Sequence, residues 1–93
     1  MNTEHLRTIA QWYIEEGRYR ILWHHIRKKH LLIEENTIVS ILMYGSHDYD
    51  KEHLNRFIAR GKIKRNKYRV VYEYDVIESE DCLIVITAFK EER

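Results

Sequence analysis

Tyr68-Arg69-Val70-Val71-Tyr72-Glu73-Tyr74-Asp75, followed after a short acidic stretch by Cys82-Leu83-Ile84-Val85-Ile86-Thr87-Ala88-Phe89, decides the fold. In an extended chain Tyr68, Val70, Tyr72 and Tyr74 share one face, and Arg69, Val71 and Glu73 share the other. That alternation marks a strand with one buried face. The second run is almost wholly apolar and rich in branched residues, as a central strand buried on both faces should be. Glu78-Ser79-Glu80-Asp81 supplies an acidic turn between the two, so the pair reads as a β-hairpin. Strict alternation places Thr87 on the face of Val85 and Phe89.

Upstream, the period changes. Leu6, Ile9, Ala10, Tyr13 and Ile14 form one helical stripe, with Thr3 as N-cap and Gly17 just past the end. This predicts a helix over 3–16. Trp12 lies at the edge of the stripe. The segment 18–22 reads as a short strand, and 23–30 as a basic helix. There Trp23, Ile26 and His30 share one face, while His24, His25 and Lys28 lie opposite. His24 and Lys28 are neighbours one turn apart. Glu34-Glu35 favours the start of another helix over 34–44, ended by Gly45, with Ile38, Ile41 and Leu42 on its apolar side. Residues 46–50 read as a polar loop. The segment 50–61 is ambiguous: Leu54, Phe57 and Ile58 fit a helix, and Arg56 to Ile63 also fits a strand.

The chain has 93 residues, the size of a single domain, and its net charge is +1. Leu, Ile, Val and Phe total 26, enough for a small core. No apolar run approaches a membrane span. The first residues lack the basic start and apolar stretch of a signal peptide, and a cytoplasmic setting is expected. The one cysteine, Cys82, excludes an internal disulfide and a thiolate-rich zinc site. The histidines lack metal-ligand spacing, and no glycine-rich phosphate loop is present, so no cofactor or metal is expected. The near-zero charge hides a polarised chain. Arg18 to His30 holds five Lys/Arg, three His and no acid; Lys51 to Arg69 holds eight Lys/Arg and one acid. Glu73 to Asp81 holds five acids and no base. Two basic segments of this kind point to a polyanion partner.

The string Asn66-Lys67-Tyr68-Arg69-Val70-Val71-Tyr72-Glu73-Tyr74-Asp75 with the apolar run 82–89 resembles the C-terminal hairpin of RelE/ParE-type toxins. The upstream pattern is most similar to the BrnT-type branch and a related family of uncharacterised small domains. That pattern is a strand (here 19–22), a His-bearing basic helix (His24 or His25, then Arg27, Lys28 and Lys29), and an Ile-acid-acid helix ending in glycine (Ile33-Glu34-Glu35 to Gly45). Three strands follow, the last matching Ile84-Val85-Ile86-Thr87-Ala88-Phe89. The resemblance covers about residues 19 to 90 and leaves the helix over 1–17 as an addition, either packed on the core or making a homodimer. The chain departs from the pattern in carrying Lys28 where Arg is usual and Leu31-Leu32 where Arg-Gly is usual. The resemblance implies an α+β, RelE-like fold: helices on a mostly antiparallel sheet of about four strands. In it 56–61 is a strand and the next turn falls near 65–67.

The function implied is metal-independent endoribonuclease activity of the toxin–antitoxin type, with RNA and an antitoxin protein as partners and no membrane. Cleavage would use general acid–base groups and cations. His24, His25, Lys28 and Thr87 are the candidate catalytic residues. Arg27, Lys29, Arg56, Arg60, Lys62, Lys64, Arg65, Lys67 and Arg69 are the candidate RNA contacts. The alternating tyrosines of 68–74 suit packing better than base stacking. Two alternatives remain. One is a winged-helix DNA-binding regulator, disfavoured because its recognition helix and wing tip would be acidic where phosphate needs cations. The other is a non-catalytic protein-interaction module.

Overall fold

The structure, a computed structural model, describes residues 3–29 and 33–91; the side chains of 27–29 lie outside the description. The elements in order are α1 (Glu4–Glu15), β1 (Tyr19–Ile21), α2 (Trp23–Lys29), α3 (Glu35–Tyr44), β2 (Ser46–Tyr49), β3 (Arg56–Ile63), β4 (Asn66–Ile77) and β5 (Glu80–Glu91). The strands form one sheet in the order β1-β5-β4-β3-β2, antiparallel except for the β1–β5 pair. The fold is α+β, with helices packed on one face of a mostly antiparallel sheet. No helix among the described residues is long and apolar enough to cross a membrane.

The sheet has five strands rather than four. The added one is β2, where the sequence suggests a polar loop. Its composition hides a period of two: His47 and Tyr49 face the helices, while Ser46 and Asp48 face away, in register with Arg60 and Ile58 of β3. The segment 56–63 is a strand, as the resemblance implies. Its partner turn sits at Lys64-Arg65, one residue earlier than expected, with Lys64 in the left-handed region (φ 59°). The acidic turn tightens to two residues, Glu78 (φ 51°) and Ser79 (φ 70°), so Glu80 and Asp81 already pair in β5. Two positive φ values mark the hairpin turn whose twist matches its strands.

A β-bulge corrects the expected face of Thr87. Val85 pairs with Tyr72, and Thr87 pairs with Val71, which leaves Ile86 as the extra residue. Val85 therefore joins the tyrosines on the covered face. Thr87 and Phe89 turn to the open face with Val71 and Arg69.

The covered face holds the core. Ala59, Val70, Tyr72, Leu83, Val85 and Ala88 from the sheet meet Ala10, Ile26, Ile38, Ile41 and Leu42 from the helices. Helix α1 packs against α3, β2 and β5. It ends as Gly17 (φ 72°) predicts: Gly17 N–H donates to Ile14 O and Arg18 N–H donates to Tyr13 O, closing the last turn. Trp12 stays half exposed, edge-on to Tyr13 and beneath the Arg18 guanidinium. Gly45 is needed for a different reason. A Cβ there would lie 2.5 Å from Arg60 O and 2.6 Å from Ile41 O, where α3 passes into β2 against β3.

Candidate functional site

The two faces of the sheet carry different chemistry. On the covered face His47 is buried, 4% exposed. Its Nε2 lies 2.9 Å from Leu42 O and its Nδ1 lies 2.6 Å from the Tyr72 hydroxyl. A carbonyl only accepts, so Nε2 carries the hydrogen and Tyr72 O–H donates to Nδ1. Burial lowers the His47 pKa, and Arg7 adds to this against an opposing backbone hydrogen bond. Burial likewise raises the Tyr72 and Tyr74 phenols. The rings of Tyr72, Tyr74, Phe57, Tyr13 and Tyr49 pack in succession around this pair. The tyrosines thus pack the core.

On the open face β3 and β4 place cation opposite cation. Arg60 faces Arg69, and Lys62 faces Lys67. Like charges directly opposite each other destabilise an antiparallel pair. Glu91 offsets the first pair. Its Oε2 accepts from Arg69 Nε (3.0 Å) and Nη2 (2.6 Å) and lies 4.0 Å from Arg60 Nε. Arg69 also lies over the Phe89 ring, 5.6 Å from its centroid. Arg56 is matched by Glu73 across the strands, at 3.3 Å. Lys62, Lys64, Arg65 and Lys67 are exposed and form no ion pair among the described residues, although Glu91 of β5 stands opposite Lys67 in the register. The end of the β3–β4 hairpin is therefore a cationic lobe. The acidic turn at 78–79 lies at the opposite end of β4.

His24 and His25 are exposed on α2, which packs on β5 through the buried Ile26. Strand β1 runs parallel to β5, so α2 leaves it toward the sheet end that carries the Lys64-Arg65 turn. Thr87 is half-buried in β5, on the open face. The side chains of Arg27, Lys28 and Lys29 lie outside the described residues. No hydrogen bond or ion pair among the described residues joins His24 or His25 to Thr87 or to the β3–β4 cations.

The structure adds a feature that sequence reasoning missed. The connection between β2 and β3 folds over the open face and bounds a cleft of about 410 Å³. Asp50 and His53 line it from the connection; Ile58, Arg60, Arg69 and Phe89 line it from the strands. Asp50 fixes the connection at both ends. Its N–H donates to Arg56 O at 3.0 Å, and its Oδ1 accepts the Glu52 N–H at 2.8 Å. Its Oδ2 lies 3.4 Å from His53 Nδ1. The Glu52 N–H, with help from His53, holds the Asp50 carboxyl below the usual carboxylate range. Asp-x-x-His was present in the sequence as a signal, but it fell in the segment where helix and strand could not be separated.

No family model, curated protein or solved structure matches the chain. The site's chemistry must speak for the function.

Proposed function

We propose that this chain binds single-stranded RNA on the open face of its sheet and cleaves it without a metal ion, in the manner of the RelE/BrnT-type toxins it resembles. One observation carries the reading: two consecutive cross-strand pairs of like charge, Arg60–Arg69 and Lys62–Lys67, on a face left uncovered by helices. Such pairs cost folding free energy and offset that cost when a polyanion lies across them. The adjoining turn extends the row by Lys64 and Arg65, and Ile58, Val71 and Phe89 beside it offer apolar surface to bases. The element order over 19–91 is consistent with the one the resemblance implies, with β2 added.

The winged-helix alternative draws less support. Its recognition helix would be α3, which opens on Glu34 and Glu35 and buries Ile38, Ile41 and Leu42 against the sheet. The test is binding of a fluorescent single-stranded RNA at several salt concentrations. Replacing Lys62, Lys64, Arg65 and Lys67 together by Ser should weaken binding and lower the log–log salt slope by about 0.7 for each phosphate no longer neutralised. An unchanged slope, or stronger binding to duplex DNA than to RNA, contradicts the reading.

A further inference from the structure

We infer that the cleft between the β2–β3 connection and the open sheet face is the cleavage centre for a bound RNA phosphodiester. In it Arg60 and Arg69 receive the phosphate, and His53, oriented by Asp50, moves the proton. The inference rests on the RNA-binding reading above and adds to it the place and the groups of the chemistry.

Four features meet there. Arg60 and Arg69 face each other across β3 and β4 and both line the cleft. Glu91 occupies Arg69 Nε and Nη2, which leaves the Nη1 hydrogens for a phosphate oxygen, and Arg60 is held only at 4.0 Å. Phe89 supports the Arg69 guanidinium from below and, with Ile58 and Val71, gives the cleft an apolar floor on which a ribose or base can rest. The volume of about 410 Å³ suits a single nucleotide of a longer strand.

The fourth feature is the His53–Asp50 pair. Asp50 Oδ2 lies 3.4 Å from His53 Nδ1, where a carboxylate favours the tautomer with its proton on Nδ1, and imidazole is the side chain suited to moving a proton near neutral pH. Asp50 is itself anchored by the Glu52 N–H and by its own N–H to Arg56 O, so the pair stands on a fixed base. His53 remains half exposed and open to substrate. Asp48 of β2 and Asp50, Lys51 and Glu52 of the connection line one side, net acidic, and Arg60 and Arg69 line the cleft from β3 and β4. The phosphate therefore takes the strand side of the cleft, and the ribose lies toward His53.

The step follows from that placement. The His53 imidazole takes the proton of the 2′-hydroxyl. The 2′-oxygen bonds to phosphorus, and the bond from phosphorus to the 5′-oxygen breaks. The 5′-oxygen takes a proton from water, and the imidazolium returns its proton to the hydroxide so formed. The products are a 2′,3′-cyclic phosphate and a 5′-hydroxyl. Asp50 is a positioning residue; His24 and His25, on α2 beside β5, stand outside the cleft.

The experiment uses the full chain in EDTA with a short fluorescent RNA. A parallel binding measurement uses the same strand carrying 2′-O-methyl groups, which cannot be cut. His53→Gln should slow cleavage at least about 100-fold and leave affinity for the methylated strand within about twofold. Asp50→Asn should slow cleavage less and shift the pH–rate profile, which a merely structural role would leave in place. Loss of cleavage in the double substitution His24→Ala, His25→Ala, with His53→Gln still cutting, overturns the inference. Cleavage by His53→Gln at the unsubstituted rate overturns the inference. So does RNA binding without cleavage by the unsubstituted chain, a result that leaves the binding reading standing. Failure of the unsubstituted chain to bind the methylated strand overturns the binding reading, and the inference with it.

Discussion

The two faces of one sheet resolve the same problem in opposite ways. On the covered face Tyr68, Val70, Tyr72 and Tyr74 of β4 pack into the core, and His47, the buried histidine among the described residues, has both ring nitrogens matched. On the open face the same strand presents Lys67, Arg69, Val71 and Glu73; Lys67 and Arg69 face like charge across β3, offset in part by Glu91 of β5. Burial favours satisfied groups, because an unpaired polar atom in the interior costs free energy that water would otherwise supply; the buried Tyr74 hydroxyl, which has no hydrogen-bond partner, is the exception among the described residues. The open face tolerates repulsion because solvent screens it and a ligand can relieve it. Stability is therefore concentrated on one side of a single strand, and the proposed RNA contacts lie on the other.

That division predicts unequal responses to substitution. Tyr72 is fully buried, stacked on Phe57 and bonded to His47. Tyr72→Ala should cost about 3–5 kcal/mol, and Tyr72→Phe, which leaves His47 Nδ1 unpaired, about 1–3 kcal/mol. On the other face Glu91→Gln, at a partly exposed ion pair, should cost under about 1 kcal/mol. Urea unfolding of the three variants measures all of these. Comparable losses from the two faces would break the comparison.

Next in size is a pH effect confined to the covered face. The His47 pKa is lowered in the folded chain relative to 6.5 in the unfolded one, chiefly by burial. The unfolded state then binds the proton more readily. Stability is full above about pH 6.5 and falls as the pH drops from there toward the folded value, at no more than about 1.4 kcal/mol per pH unit for one proton. Urea midpoints between pH 8 and pH 5 should show this fall. His47→Gln should lower the midpoint at pH 8 and flatten its dependence on pH; a profile as steep as that of the unsubstituted chain contradicts the assignment to His47.

Much of this architecture is legible in the residues. The period-2 run of 68–75 and the apolar run of 82–89 specify the central hairpin, and the 3.6-residue stripes of 4–15 and 35–44 specify two helices. The β2 strand is not legible, because four polar residues, Ser46 to Tyr49, owe their extended form to pairing with β3 and to the burial of His47. The bulge at Ile86 is equally silent: one extra residue within a run of branched residues leaves no trace in hydrophobicity, yet it reverses the face of Thr87. Of the site, the cations of 56–69 could be named from sequence, since clustering of charge survives any assignment of elements. Their cross-strand opposition could not, because register depends on where the turn falls. The Asp50–His53 pair and its cleft needed the three-dimensional path of a connection whose sequence suits either helix or strand.

The central claim is that the open face, and not the helix side, meets RNA. Backbone amide chemical shifts of the labelled chain, titrated with 2′-O-methylated single-stranded RNA, test it most directly. The account predicts the largest shifts at Arg60, Lys62, Lys67, Arg69 and Phe89, with Ala10, Ile38 and Leu42 little changed. Shifts centred on α1 or α3, or none on β3 and β4 at saturating RNA, contradict it.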